Sequence, residues 1–74
     1  MRYTVILQRE SDGRYVATVP ALPGCVSQGD TREEALRNIR EAAEGYLEDV
    51  KASGDPLPIE DESREFIELN ALAR

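Results

Sequence analysis

Cys25 is the side chain best equipped for covalent chemistry in this chain, and nothing stands ready to activate it. A cysteine attacks as its thiolate and needs a base such as histidine beside it. The 74 residues include no histidine and no second cysteine. Cys25 therefore reads as a small buried strand residue. Carboxylates are the other candidates, with 15 Asp and Glu in all. A metal-dependent nuclease needs several of them converging from separate strands and helices onto paired ions. Here Glu10 and Asp12 fall in a turn and Glu65 and Glu68 in the C-terminal tail. Glu33, Glu34, Glu41, Glu44, Glu48 and Asp49 spread along a solvated helix surface. There is no G-x-x-x-x-G-K-[ST] or G-x-G-x-x-G loop to cradle phosphate, and no C-x-x-C pair. The expectation is a non-enzymatic protein with no catalytic residue, no cofactor and no metal.

What remains is recognition, and charge narrows its kind. The net charge is −6. Residues 1–29 carry Arg2, Arg9 and Arg14 against Glu10 and Asp12, a net of +1, so −7 falls on residues 30–74. An acidic half of this kind opposes phosphate-backbone binding, which needs clustered basic side chains. It suits a basic partner, drawn in by steering and complementary contacts. Met1 to Leu7 reaches Gln8-Arg9-Glu10 too soon for a signal peptide, and no apolar run approaches the length of a membrane span. A cytoplasmic protein without membrane or nucleic-acid contact is expected. At this size a lone domain buries only about 60% of the unfolded chain's surface, which makes self-association a reasonable expectation.

The elements that must position these residues are few. Two β-prone runs, Tyr3 to Arg9 and Arg14 to Val19, flank Glu10-Ser11-Asp12-Gly13, and Asp-Gly is a strong hairpin signal. A two-residue or a four-residue loop places Tyr3, Val5, Leu7, Val16 and Thr18 on one face. Ile6, Tyr15, Ala17 and Val19 then share the other. Cys25 to Gln28 reads as a short third strand. Residues 32–52 form one helix, with Leu36, Ile39, Ala43, Tyr46 or Leu47, and Val50 as its apolar stripe. Glu33 with Arg37, and Arg40 with Glu44, have the spacing of i,i+4 pairs. Gly54 and Pro56 end the helix. Gly45, in mid-helix, either permits a close approach or serves nothing. In the tail, Ser63, Phe66, Leu69 and Leu72 suit a short helix, while Glu65-Phe66-Ile67-Glu68-Leu69 equally suits a strand.

The string Pro20-Ala21-Leu22-Pro23-Gly24-Cys25-Val26-Ser27-Gln28-Gly29-Asp30-Thr31, running into Arg32-Glu33-Glu34-Ala35, packs a bend, a strand, a turn and a helix start together. Thr31 and Glu34 make a capping box, with Asp30 adding charge at the positive helix end. The string, entered from Gly13-Arg14-Tyr15-Val16, closely resembles the HicB family, the antitoxin halves of toxin–antitoxin pairs and their stand-alone relatives. The resemblance covers about Met1 to Pro58. It is carried by Pro23, Gly24, Gly29, Asp30, Thr31, Glu34 and Ala35, which read as turn and cap residues.

The resemblance implies an α+β fold of order β-β-β-α-β, partly like RNase H, with the tail as final strand. It also implies stoichiometric inhibition of a small, basic, HicA-like mRNA-cleaving toxin, together with homodimers or higher assemblies. Many HicB antitoxins carry an additional promoter-binding module. The acidic residues after Gly54 are too few for one, so one domain over residues 1–74 is expected. Physics rather than the motif nominates the partner surface: an outward sheet face at Tyr3, Val5, Arg14 and Val16, and an acidic helix shoulder at Glu33, Glu41 and Glu44. The second reading is a free-standing HicB-like dimer with some other binding role.

Overall fold

The computed structural model describes residues 2–60. Within them run β1 (Ile6–Arg9), β2 (Tyr15–Thr18), β3 (Val26–Gly29) and α1 (Arg32–Ala52). The strands form one antiparallel sheet in the order β1-β2-β3. This is the β-β-β-α part of the expected α+β fold. The expected final strand, within residues 63–74, lies outside the described residues.

The hairpin corrects the expected faces. Its loop is Ser11-Asp12-Gly13, with the Glu10 N–H donating to the Arg14 carbonyl at 2.7 Å and the Gly13 N–H to the Glu10 carbonyl at 2.9 Å. Gly13 has φ 90°, as three-residue hairpin loops require at their last position. The Arg14 N–H donates to Asp12 Oδ1 at 2.9 Å, which steadies the turn. An odd loop shifts the register by one residue, and that sends every side chain of one strand to the opposite face. Leu7 thus stands opposite Ala17, and Gln8 opposite Val16. By alternation Tyr3, Val5 and Leu7 share the helix side with Tyr15, Ala17 and Val19. Ile6 shares the outer side with Val16 and Thr18.

Between β2 and β3 the chain makes two successive turns. The Leu22 N–H donates to the Val19 carbonyl, the Cys25 N–H to the Leu22 carbonyl, and the Val19 N–H to the Cys25 carbonyl. In the second turn Pro23 supplies the fixed φ and Gly24, at φ 81°, the positive one, the pairing of a type II turn. The effect is to tuck Leu22 fully out of solvent. Leu22 joins Ala17, Val19, Cys25, Ala35 and Ile39 as the buried core. Burial pushes the Cys25 thiol above its ordinary pKa.

The helix begins where the sequence places it. Thr31 accepts from the Glu34 N–H at 3.0 Å; the return bond to the Glu34 carboxylate, expected of a full capping box, is not made. At the other end Gly54 has φ 78°. Its N–H reaches the Lys51 carbonyl and that of Asp55 reaches the Val50 carbonyl, a Schellman closure. Gly29, read as a turn residue, uses no positive φ. A Cβ there would lie 2.6 Å from the Ala35 nitrogen, so the glycine permits the first turn of α1 to sit on the end of β3. Gly45 has open space around it. Among the described residues no helix is long and apolar enough to cross a membrane.

Candidate functional site

Two surfaces are left once α1 has packed over β3 and β2. The first is the outer sheet face. Cross-strand pairing sets Ile6, Thr18 and Val26 in one row and Gln8, Val16 and Gln28 in the next. Ile6 is 43% exposed and Val26 55%. These two rows carry no charge. At their end the Arg14 Nε lies 3.2 Å from Asp30 Oδ1 in an exposed pair.

The second surface is an open groove of about 600 Å³ between α1 and the chain leading into β1. It exists because the helix lies over β3 and β2 and leaves the β1 side uncovered. Val5, Val19, Leu36, Ile39, Ala43 and Leu47 give it apolar walls, while Arg2, Arg37, Arg40 and Glu44 add charge. The helical repeat of 3.6 residues puts Leu36, Arg40, Ala43 and Leu47 along one flank. The expected i,i+4 pairs Glu33–Arg37 and Arg40–Glu44 are not closed. Arg14–Asp30 is the ion pair formed among the described residues.

The seven residues nominated for partner binding divide between these surfaces. Tyr3 and Val5 were expected on the outward face but lie on the helix side. Tyr3 is half-buried against the core, and its hydroxyl donates to the Pro58 carbonyl. Val5 is 38% exposed at the groove. Glu44 joins Val5 in the groove lining. Arg14 and Val16 are on the outer face, across the sheet from the helix. Glu33 and Glu41 are exposed on α1. One flat partner cannot cover all seven, because the sheet separates the two groups. Sequence reasoning missed Arg2, Leu36, Arg37, Arg40 and Leu47 as groove residues. Their signal was a stripe broader than one row of contacts, with Leu36 and Leu47 at its margin.

The turn and cap residues do structural work. Pro23 and Gly24 form the turn that buries Leu22. Asp30, Thr31 and Glu34 start the helix, and Ala35 packs fully buried above Gly29. The Asn38 side-chain amide donates to the Gln28 carbonyl at 2.8 Å, binding α1 to β3. Among the described residues no three of His, Cys, Asp or Glu gather where they could hold a metal ion. Chemically, the arrangement offers an uncharged sheet face, an apolar groove edged with arginine, and an acidic helix exterior.

Known proteins share this architecture. Residues 3–70 match a family described as HicB_like antitoxin of bacterial toxin-antitoxin system. The UPF0150 protein Ta0767 of Thermoplasma acidophilum is 52% identical over 58 residues, covering 78% of this chain and 84% of that protein. Antitoxin HicB 1 of Photorhabdus laumondii is 40% identical over 63 residues, covering 80% of this chain and 41% of the antitoxin. The crystal structure of the N-terminal domain of Burkholderia pseudomallei antitoxin HicB superposes with a TM-score of 0.68 at 31% identity. That match covers 74% of this chain and 65% of the other.

Proposed function

The chain belongs to the family of HicB-like antitoxins, and we propose that it acts as a stoichiometric inhibitor, binding and masking a small, basic, HicA-like mRNA-cleaving toxin in the cytoplasm. Such a family points to a toxin partner and to binding rather than catalysis. The family match over residues 3–70 carries the reading. The charge supports it: a chain of net charge −6 steers toward a protein whose own surface is built for phosphate. In this reading the toxin meets the acidic exterior of α1 at Glu33, Glu41 and Glu44.

Co-expression with the small reading frame encoded beside this chain tests it. Growth arrest by the neighbour, relief by this chain and co-elution of both proteins are the expected results. A harmless neighbour that never co-purifies would overturn the inhibitor reading.

One observation favours a second reading. The Thermoplasma relative is covered over 84% of its length, so this domain makes up nearly all of a protein whose name states no activity. A stand-alone homodimer would join its two copies through the outer sheet face, where Ile6 and Val26 are exposed. Sedimentation at micromolar concentration tests it, since a particle of 8.3 kDa removes the dimer.

A further inference from the structure

The loop of the first hairpin holds a chemistry that neither partner surface uses. The aspartates are Asp12, Asp30, Asp49, Asp55 and Asp61, and Asp12 alone precedes a glycine. With no Cβ on the next residue, that residue's backbone nitrogen can approach the aspartyl carboxyl closely. After Asp49 stands Val50, locked inside α1; after Asp55 stands Pro56, which has no N–H. Asp12 is exposed. Its Oδ1 accepts from the Arg14 N–H at 2.9 Å, so the carboxyl bends forward over Gly13 and is polarised by that donor. One bond opposes an attack: the Gly13 N–H donates to the Glu10 carbonyl at 2.9 Å.

We propose that Asp12 is a modification site, where the folded protein isomerises spontaneously to isoaspartate. The Gly13 nitrogen attacks Cγ of the protonated Asp12 carboxyl. An N–Cγ bond forms, the Cγ–OH bond breaks, and the hydroxyl leaves with the amide proton as water. Water then opens the cyclic imide. Opening at Cγ restores aspartate. Opening at the backbone carbonyl carbon breaks its bond to the Gly13 nitrogen, and the chain afterwards runs through Cβ and Cγ. No oxidant or cofactor enters. The Gly13 N–H must first leave the Glu10 carbonyl, and an exposed turn bond of this kind slows the step by about fivefold, which delays the reaction without stopping it. The product matters because this loop sets the strand faces. Isoaspartate adds a backbone atom to the loop that fixes Leu7 opposite Ala17. It also removes the side-chain acceptor of the Arg14 N–H.

Trypsin cuts after Arg9 and Arg14, which isolates Glu10-Ser11-Asp12-Gly13-Arg14 as a peptide with no second aspartate. Full-length protein is aged for weeks in near-neutral buffer, digested and separated by chromatography. The expected result is a second peak of identical mass for this peptide. That peak should take up radiolabelled methyl from S-adenosylmethionine through an isoaspartyl-directed methyltransferase. The peptides holding Asp30 and Asp49 should stay single. Ageing in guanidinium chloride should speed the conversion by about fivefold, the share that the Gly13–Glu10 bond holds back. Asp12→Glu, whose longer side chain closes a less favoured ring, should abolish the second peak while circular dichroism shows the fold retained. A peptide that stays single and unlabelled in the folded protein would overturn the proposal, whether or not the unfolded chain isomerises.

Discussion

Gly29 and Ala35 are in closer contact than any residue with a side chain at position 29 would permit. A Cβ on Gly29 would lie 2.6 Å from the Ala35 nitrogen and 2.9 Å from the Glu34 carbonyl carbon. These are backbone atoms of the first helical turn, so no flexible side chain can move aside. Gly29→Ala should therefore destabilise the fold by roughly 1–3 kcal/mol, the range of overpacking in a tight site. Urea unfolding followed at 222 nm reads it; a loss below a few tenths would show that α1 can lift off β3 without cost.

Gly45 is the opposite case. It lies inside α1 with nothing within 4 Å of where a Cβ would project, so glycine there costs helix propensity and gains no contact. Gly45→Ala is expected to stabilise by about 0.5–1 kcal/mol, visible as a higher thermal midpoint. Partner binding should be unaltered.

Leu22 sits fully buried at the junction of two turns. Its side chain is what those turns deliver to the core. Leu22→Ala should cost roughly 2–5 kcal/mol, which in a domain this small is enough to unfold a large fraction of molecules at room temperature. Calorimetry should show the loss.

Cys25 gives the fold a pH dependence on the alkaline side. Burial raises the thiol's pKa above its ordinary value. The folded state therefore holds the proton when the unfolded chain has begun to release it. That contribution is full below the unfolded pKa and falls away as pH rises through the range above about 9. Comparing wild type with Cys25→Ala from neutral to alkaline pH isolates the effect from tyrosine and lysine titration. The difference between the two stabilities should shrink as pH climbs, and a difference that stays constant would contradict the burial of the thiol.

How much of this was legible depended on whether a residue's signal was local. The helix over 32–52 was, because Thr31, the apolar stripe, Gly54 and Pro56 each act within a few residues of themselves. The three short strands were also legible, though β1 and β2 are shorter than the β-prone runs suggest and β3 is shifted by one residue. The faces of the hairpin were not. Asp12-Gly13 marks a turn equally well for loops of two, three or four residues, and only the odd count reverses the side chains. Tyr3 and Val5 were misplaced for that single reason. The groove stayed hidden with them, since it needs Val5 and Leu36 on the same side of the sheet. Gly29 was read as a turn residue rather than as a point of close packing, because steric approach between distant atoms leaves no trace in local composition.

The strand order β1-β2-β3 has a kinetic meaning as well. Each strand pairs with the one made just before it, and α1 follows at once to cover β2 and β3. Contacts between near neighbours in sequence close small loops and carry little entropic delay. In a folding chain every element through α1 packs on one adjacent in sequence, so the core around Leu22 and Ile39 assembles without any distant closure.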